Sequence, residues 1–171
     1  MITNPVESRD LFWTGYQKPE LMMQLLRYDV MGKDRFDPAF REYFRTWAFK
    51  HPAPADFFRL MRDQSGLELD WFWREWIYTT ARLDQALDSV AAGADGRDAV
   101  YLSSRGTMVM PLTMAVAYTD GSADLVRLPV EMWNLGPHFT WRAPAGRNIV
   151  SVLVDPDRRL PDVARDYNSW H

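Results

Sequence analysis

The 171-residue chain contains no cysteine, which excludes disulfides and thiolate metal sites and leaves its redox compartment unread. Neither sign of charge is in excess. Residues 1–85 carry 12 basic and 13 acidic side chains and residues 86–171 carry 8 and 10, for a net charge of −3. That balance argues against a nucleic-acid partner held by broad phosphate neutralisation. No long apolar run occurs. Met108 to Tyr118, interrupted by Pro111 and Thr113, is too short to cross a bilayer, so no membrane segment is expected. The opening MITNPVESRD has neither a basic n-region nor an apolar h-region and does not read as a signal peptide. It reads as a loop, as though the chain began partway through a longer one.

The usual chemical signatures are also missing. The three histidines, His51, His138 and His171, stand far apart, with no H-E-x-x-H and no pair at i, i+4. A zinc site built from this chain alone is therefore not expected. There is no G-x-S-x-G nucleophile elbow, no G-x-x-x-x-G-K and no G-x-G-x-x-G.

What is present describes a folded chain in two halves. Hydrophobic residues make up 47% and aromatics 14%, with eight tryptophans, a composition that buries a core rather than staying disordered. The first half reads as about four helices. Met22, Leu25, Leu26 and Val30 recur at helical spacing after Pro19, and Gly32 suits a C-terminal cap. Asp37-Pro38 has the form of an N-cap followed by proline at the first helical position, and Phe40, Tyr43, Phe44, Trp47 and Ala48 then share one face. His51-Pro52-Ala53-Pro54 breaks that helix. A third runs from about Pro54 to Gln64, burying Phe57, Leu60 and Met61, and stops at Gly66. Asp70 can cap a fourth over Trp71 to Tyr78, apolar on nearly every side and so buried.

The second half changes period. Leu112, Met114, Val116 and Tyr118 alternate, as do Val126, Leu128, Val130 and Met132, and Ile149 to Val154 is a continuous strand-forming run. Turn signals separate them at Asp95-Gly96, Asp120-Gly121-Ser122, Leu135-Gly136-Pro137 and Ala145-Gly146-Arg147-Asn148. The fold class expected is α+β, a helical segment over residues 1–85 followed by a small antiparallel Ig-like β-sandwich over 86–171. The seam falls near Thr79 to Gln85.

Several residue groups invite functional readings that bland ones outweigh. Ser103-Ser104 reads as part of a solvent-facing strand. Asp155-Pro156-Asp157 with Asp162 lacks the EF-hand spacing and closing Glu, and reads as an exposed acidic tail. The block Trp71-Phe72-Trp73-Arg74-Glu75-Trp76 could stack on sugars or bases, but its aromatics flank one another around a helix, which favours core packing. Tyr16, before the first helix, could donate its O–H to a developing oxyanion, although by itself a buried structural tyrosine is the commoner case.

An ordered series of residues alters that balance. Tyr16-Gln17-Lys18, Leu26-Arg27, Phe36, Tyr43, Trp47, Pro54-Ala55-Asp56-Phe57-Phe58, Ser65-Gly66, Leu69-Asp70-Trp71-Phe72-Trp73 and Trp76 follow one another in this chain. The series resembles the stretch downstream of the zinc site in aminopeptidase N-like zinc peptidases, the gluzincins that include leukotriene hydrolase. The resemblance covers about residues 10–85. Residues 86–171, ending in Asp155-Pro156-Asp157, Pro161-Asp162 and Asn168-Ser169-Trp170, look like the β-domain that follows in bacterial members.

The resemblance implies a C-terminal portion of a zinc-dependent metallopeptidase that hydrolyses peptide bonds. In the family a tyrosine of a Tyr-Glu-Lys-Gly block hydrogen-bonds the tetrahedral intermediate, and Tyr16 occupies that position. Gln17 stands where the family has Glu, and Pro19 where it has Gly. The zinc ligands and the glutamates that bind the substrate amine would precede Met1. The chain alone is then expected to bind no zinc and cleave nothing, the peptide being a substrate of the longer protein. Bacterial relatives imply an extracytoplasmic location. A stand-alone module binding protein or glycan, or a zinc-less scaffold relative, is the alternative. Loss of the zinc-bearing partner face would leave Trp13, Met22, Met23 and Leu26 exposed, so self-association through residues 10–30 is expected. A monomer at high concentration in light scattering would contradict it.

Overall fold

The computed structural model describes residues 10–93 and 95–171. Two compact units divide between Thr80 and Ala81, and the class is α+β, with helices in the first unit and two antiparallel sheets in the second.

In the helical unit, α1 (Lys18–Leu25) is flanked by two wider-wound π-helical segments, Trp13–Gln17 and Leu26–Val30. Gly32, at φ 76°, lets the chain stop and restart at once, and α2 spans Lys33–Trp47. This corrects the start expected at Asp37-Pro38. Phe36 N–H already donates to the Gly32 carbonyl (2.9 Å), and Asp37 is taken up by Arg27 instead of capping. Pro38 is carried inside the helix, where its missing N–H forgoes one ladder bond. The buried face is also shifted. Phe36 and Ala39 are buried and Tyr43 is half-buried, whereas Phe44 is 59% exposed.

α3 (Pro54–Ser65) begins with Asp56 accepting from Ala53 N–H (2.9 Å) and ends at Gly66 in the left-handed conformation. Its Met61 is fully buried, and its Phe57 meets Tyr43 edge-on at 4.9 Å between ring centroids. α4 (Asp70–Trp73) continues into a third π-wound segment, Arg74–Tyr78. Phe72, Trp73 and Trp76 are buried there, and Phe58 stacks on Trp73 at 4.6 Å. The aromatic block is thus core packing and offers no stacking platform.

The second unit holds β1 (Gln85–Ala92), β2 (Asp98–Ser104), β3 (Leu112–Tyr118), β4 (Ala123–Leu128), β5 (His138–Arg142), β6 (Ile149–Val154) and β7 (Ser169–Trp170). One sheet has the order β1-β2-β5, the other β4-β3-β6-β7. Leu112, Met114, Val116 and Tyr118 all point inward, in register with β4 and β6, and meet Val100 and Leu102 of the other sheet in a common core. The alternation expected to run through Met132 stops at Leu128. Pro129 breaks the strand, and a short 3-10 turn over Val130–Trp133 swings Met132 and Trp133 into the core. There Trp133 Nε1 donates to the Met110 carbonyl (3.1 Å), which also accepts from Gln85 Nε2 (2.7 Å).

Leu83 ties three distant stretches together. It bridges Met108 on one side and Asp162 on the other, and its carbonyl accepts from Val163 N–H (3.0 Å). Beside it, Thr107 and Met108 N–H groups both donate to the Arg82 carbonyl (3.0 and 3.1 Å). Gly106 sits between these contacts, so close that a Cβ built on it would lie 2.1 Å from the Arg82 carbonyl oxygen and 2.8 Å from Asp84 N.

Candidate functional site

Tyr16 lies within helix, not ahead of it. Lys18 N–H reaches back five residues to the Trp13 carbonyl, so the backbone winds wide over Trp13–Gln17. That widening places Pro19, which has no N–H to donate, just beyond a turn whose i→i−4 ladder is already interrupted. Such wide turns recur at functional sites.

The Tyr16 side chain is 67% exposed, with its ring tilted against Phe12 at 6.3 Å. Leu11, Phe12 and Trp13 are exposed as well, and Phe12 meets Trp13 edge-on at 5.7 Å. The apolar surface in this region is therefore Leu11, Phe12, Trp13 and Tyr16. Met22 and Leu26, expected to be exposed, are buried, and Met23 is half-buried. Lys18, two residues on, is partly buried, which holds its ammonium below the usual lysine range.

Arg27, part of the Leu-Arg element of the series, is not free. Its guanidinium forks onto Asp37 (2.6 and 2.8 Å) and also reaches the Tyr28 hydroxyl, while Lys33 Nζ lies 5.0 Å from the Tyr28 ring centroid. The hydrogen bonds from Arg27 hold the Asp37 carboxyl below the usual carboxylate range.

The other candidate groups resolve into structure. Ser103 is not solvent-facing. It is 3% exposed and its Oγ donates to Asp88 Oδ1 (2.8 Å). The register also pairs Ser103 with His138, a juxtaposition invisible along the chain. No hydrolytic triad results, because the carboxylate binds the serine directly instead of orienting the histidine. Asp155 is 6% exposed, which corrects the exposed acidic tail at that residue, whereas Asp157 is exposed as expected. Asp155 accepts from the Arg159 and Leu160 N–H groups (2.9 and 3.1 Å) and from Arg165 (2.9 Å), which fastens the C-terminal loop. Asp162 accepts from Ala164 N–H (3.1 Å) and Asn168 Nδ2 (3.0 Å).

Sequence reasoning missed one cluster. Tyr167 donates to Asp84 Oδ1 (2.6 Å) beneath the Arg105 guanidinium, 4.2 Å from the ring centroid, and Arg105 also binds Asp88 (2.9 Å). Residues 83 apart in sequence meet there, and no local pattern announces them.

His51 and His138 are exposed, at the α2–α3 connection and the start of β5. Among the described residues no three metal-capable side chains come together. Nor is any helix among them long and apolar enough to cross a membrane.

No protein-family model matches this chain, and no curated protein matches it. The fold is shared with a known peptidase. The crystal structure of Legionella pneumophila aminopeptidase A in complex with aspartic acid superposes with a TM-score of 0.61 at 14% identity. The match covers 86% of this chain and 17% of that one. At such identity the likeness is one of fold.

Proposed function

We propose that this chain is the C-terminal part of a zinc-dependent, aminopeptidase N-like metallopeptidase, with Tyr16 as a donor to the oxyanion formed during peptide hydrolysis. The observation that carries the reading is the fold shared with an aminopeptidase over 86% of the chain, alongside the ordered series from Tyr16 to Trp76. The exposed phenol supports the assignment of Tyr16, since a donor to a reacting group must reach it. The zinc ligands belong to a preceding segment, and without it the chain hydrolyses nothing. The peptide is a substrate of the whole protein, and its place is extracytoplasmic.

The reading frame that encodes Met1 provides the test. Codons for an H-E-x-x-H upstream of Tyr16 in the same frame are the expected finding. A stop codon and promoter at that place would reject the peptidase and leave an interaction module.

A further inference from the structure

The connection from α2 to α3 carries a phenylalanine that the fold does not use. Lys50 N–H donates to the Trp47 carbonyl (3.0 Å), Ala48 lies at φ −52° and ψ 131°, and Phe49 at φ 60°. These are the marks of a type II turn, whose second central position favours glycine or asparagine. Phe49 occupies that position and is fully exposed. An aromatic side chain is disfavoured there twice, by its backbone conformation and by the apolar area it leaves in water.

The surroundings supply charge. Arg41, Arg45, Lys50 and His51 are exposed. Residues 41–51 hold three arginines or lysines against one acid, Glu42, which is bonded to Arg45 (2.9 and 3.0 Å) and Thr46 (3.1 Å). On α3, Asp56 and Arg59 pair with each other (2.9 Å). Lys50 therefore remains as a cation beside Phe49, its Nζ anchored on the Thr46 carbonyl (2.8 Å) and 5.9 Å from the half-buried Trp47 ring, whereas Arg41 lies two turns back along α2, where it interacts with Asp37. A protruding aromatic, a neighbouring tryptophan and an adjacent lysine match the layered chemistry of an anionic bilayer surface, with its apolar interior, interfacial belt and phosphates.

We propose that this tip is a peripheral contact for anionic lipid membranes, with Phe49 entering the acyl boundary and Lys50 meeting the headgroup phosphates. The contact lies on the surface and spans nothing. The proposal stands apart from the peptidase reading.

Vesicle co-sedimentation of the full chain tests it, with phosphatidylcholine alone and with added phosphatidylglycerol. Binding is expected only to the anionic vesicles, weakening as salt rises. Phe49→Ala is expected to weaken it about tenfold, the effect of withholding one aromatic side chain from an apolar phase. Lys50→Glu should abolish the preference for anionic lipid. Phe49→Gly separates binding from folding, because glycine suits the turn: its thermal midpoint should rise while vesicle binding falls. No sedimentation with anionic vesicles, or equal sedimentation of the wild type and Phe49→Ala, would overturn the proposal. Self-association that depends on Phe49, with no vesicle binding, would also overturn it and assign the tip to a second copy of the chain.

Discussion

On the proposed peptidase reading, replacing Tyr16 by phenylalanine in the longer protein is expected to lower kcat by about 10²–10³ and to move KM little. The change deletes one hydroxyl and leaves the ring. If that hydroxyl donates to the oxyanion, its contact strengthens only as negative charge develops, so its loss falls on the chemical step, at roughly 3–4 kcal/mol. The exposure of Tyr16 sharpens the test. A buried tyrosine could lose activity by disturbing its packing, but within this chain the phenol lies 67% exposed, so the thermal midpoint of the chain itself should not change. Steady-state kinetics on an aminoacyl p-nitroanilide, paired with a melting curve, distinguishes the two. Unchanged turnover rejects the role of Tyr16, and loss of activity that follows a lower melting temperature makes the residue structural.

The second large effect is one of stability. Gly106→Ala should destabilise the sheet unit by about 3 kcal/mol or more, read as a fall in the urea midpoint. The added methyl would lie 2.1 Å from the Arg82 carbonyl oxygen and 2.8 Å from Asp84 N, both backbone atoms. No rotamer change can relieve such an overlap, and the chain must separate there. Separation would stretch the bonds from Thr107 and Met108 to the Arg82 carbonyl and the bond from Arg105 N–H to the Asp84 carbonyl (2.7 Å). Gly121→Ala is the comparison. It sits at φ 82° with open space around its Cβ position, so its cost is the modest one of backbone conformation alone. Equal midpoints for the two variants would show that the Gly106 approach is not tight in solution.

Much of this fold was legible along the chain because local rules and tertiary packing agree in places. Leu112 to Tyr118 alternate because one side of β3 faces the core, and Gly66 ends α3 because a left-handed residue was needed there. The aromatic block at Trp71 to Trp76 could be assigned to a core because its rings surround a helix on too many sides to be exposed together.

Where long-range partners intervene, local rules fail. Asp37 has the form of an N-cap, but an arginine ten residues back claims its carboxylate. Ser103 lies on a strand whose serines would ordinarily face water, yet it is buried, with its hydroxyl bonded to a carboxylate of the neighbouring strand. Asp155 reads as tail because nothing local indicates that the next turn will fold back over it. For the candidate site, the sequence suggested Tyr16 through its place in an ordered series. Its exposure depends on how helices pack, which no spacing reveals.

The central position of Leu83 bears on how the sheet unit is made. The strand that opens the unit is held by Val163 and by Tyr167, and Trp170 pairs with Val152 at the far edge. Closing those contacts requires nearly the whole unit to be present, since they join its first residues to its last. During synthesis the helices can therefore settle while the ribosome is still at work. The strands behind them stay incomplete until Val163, Tyr167 and Trp170 have cleared the exit tunnel, an interval in which unpaired edges lie open to chaperones and to neighbouring nascent chains.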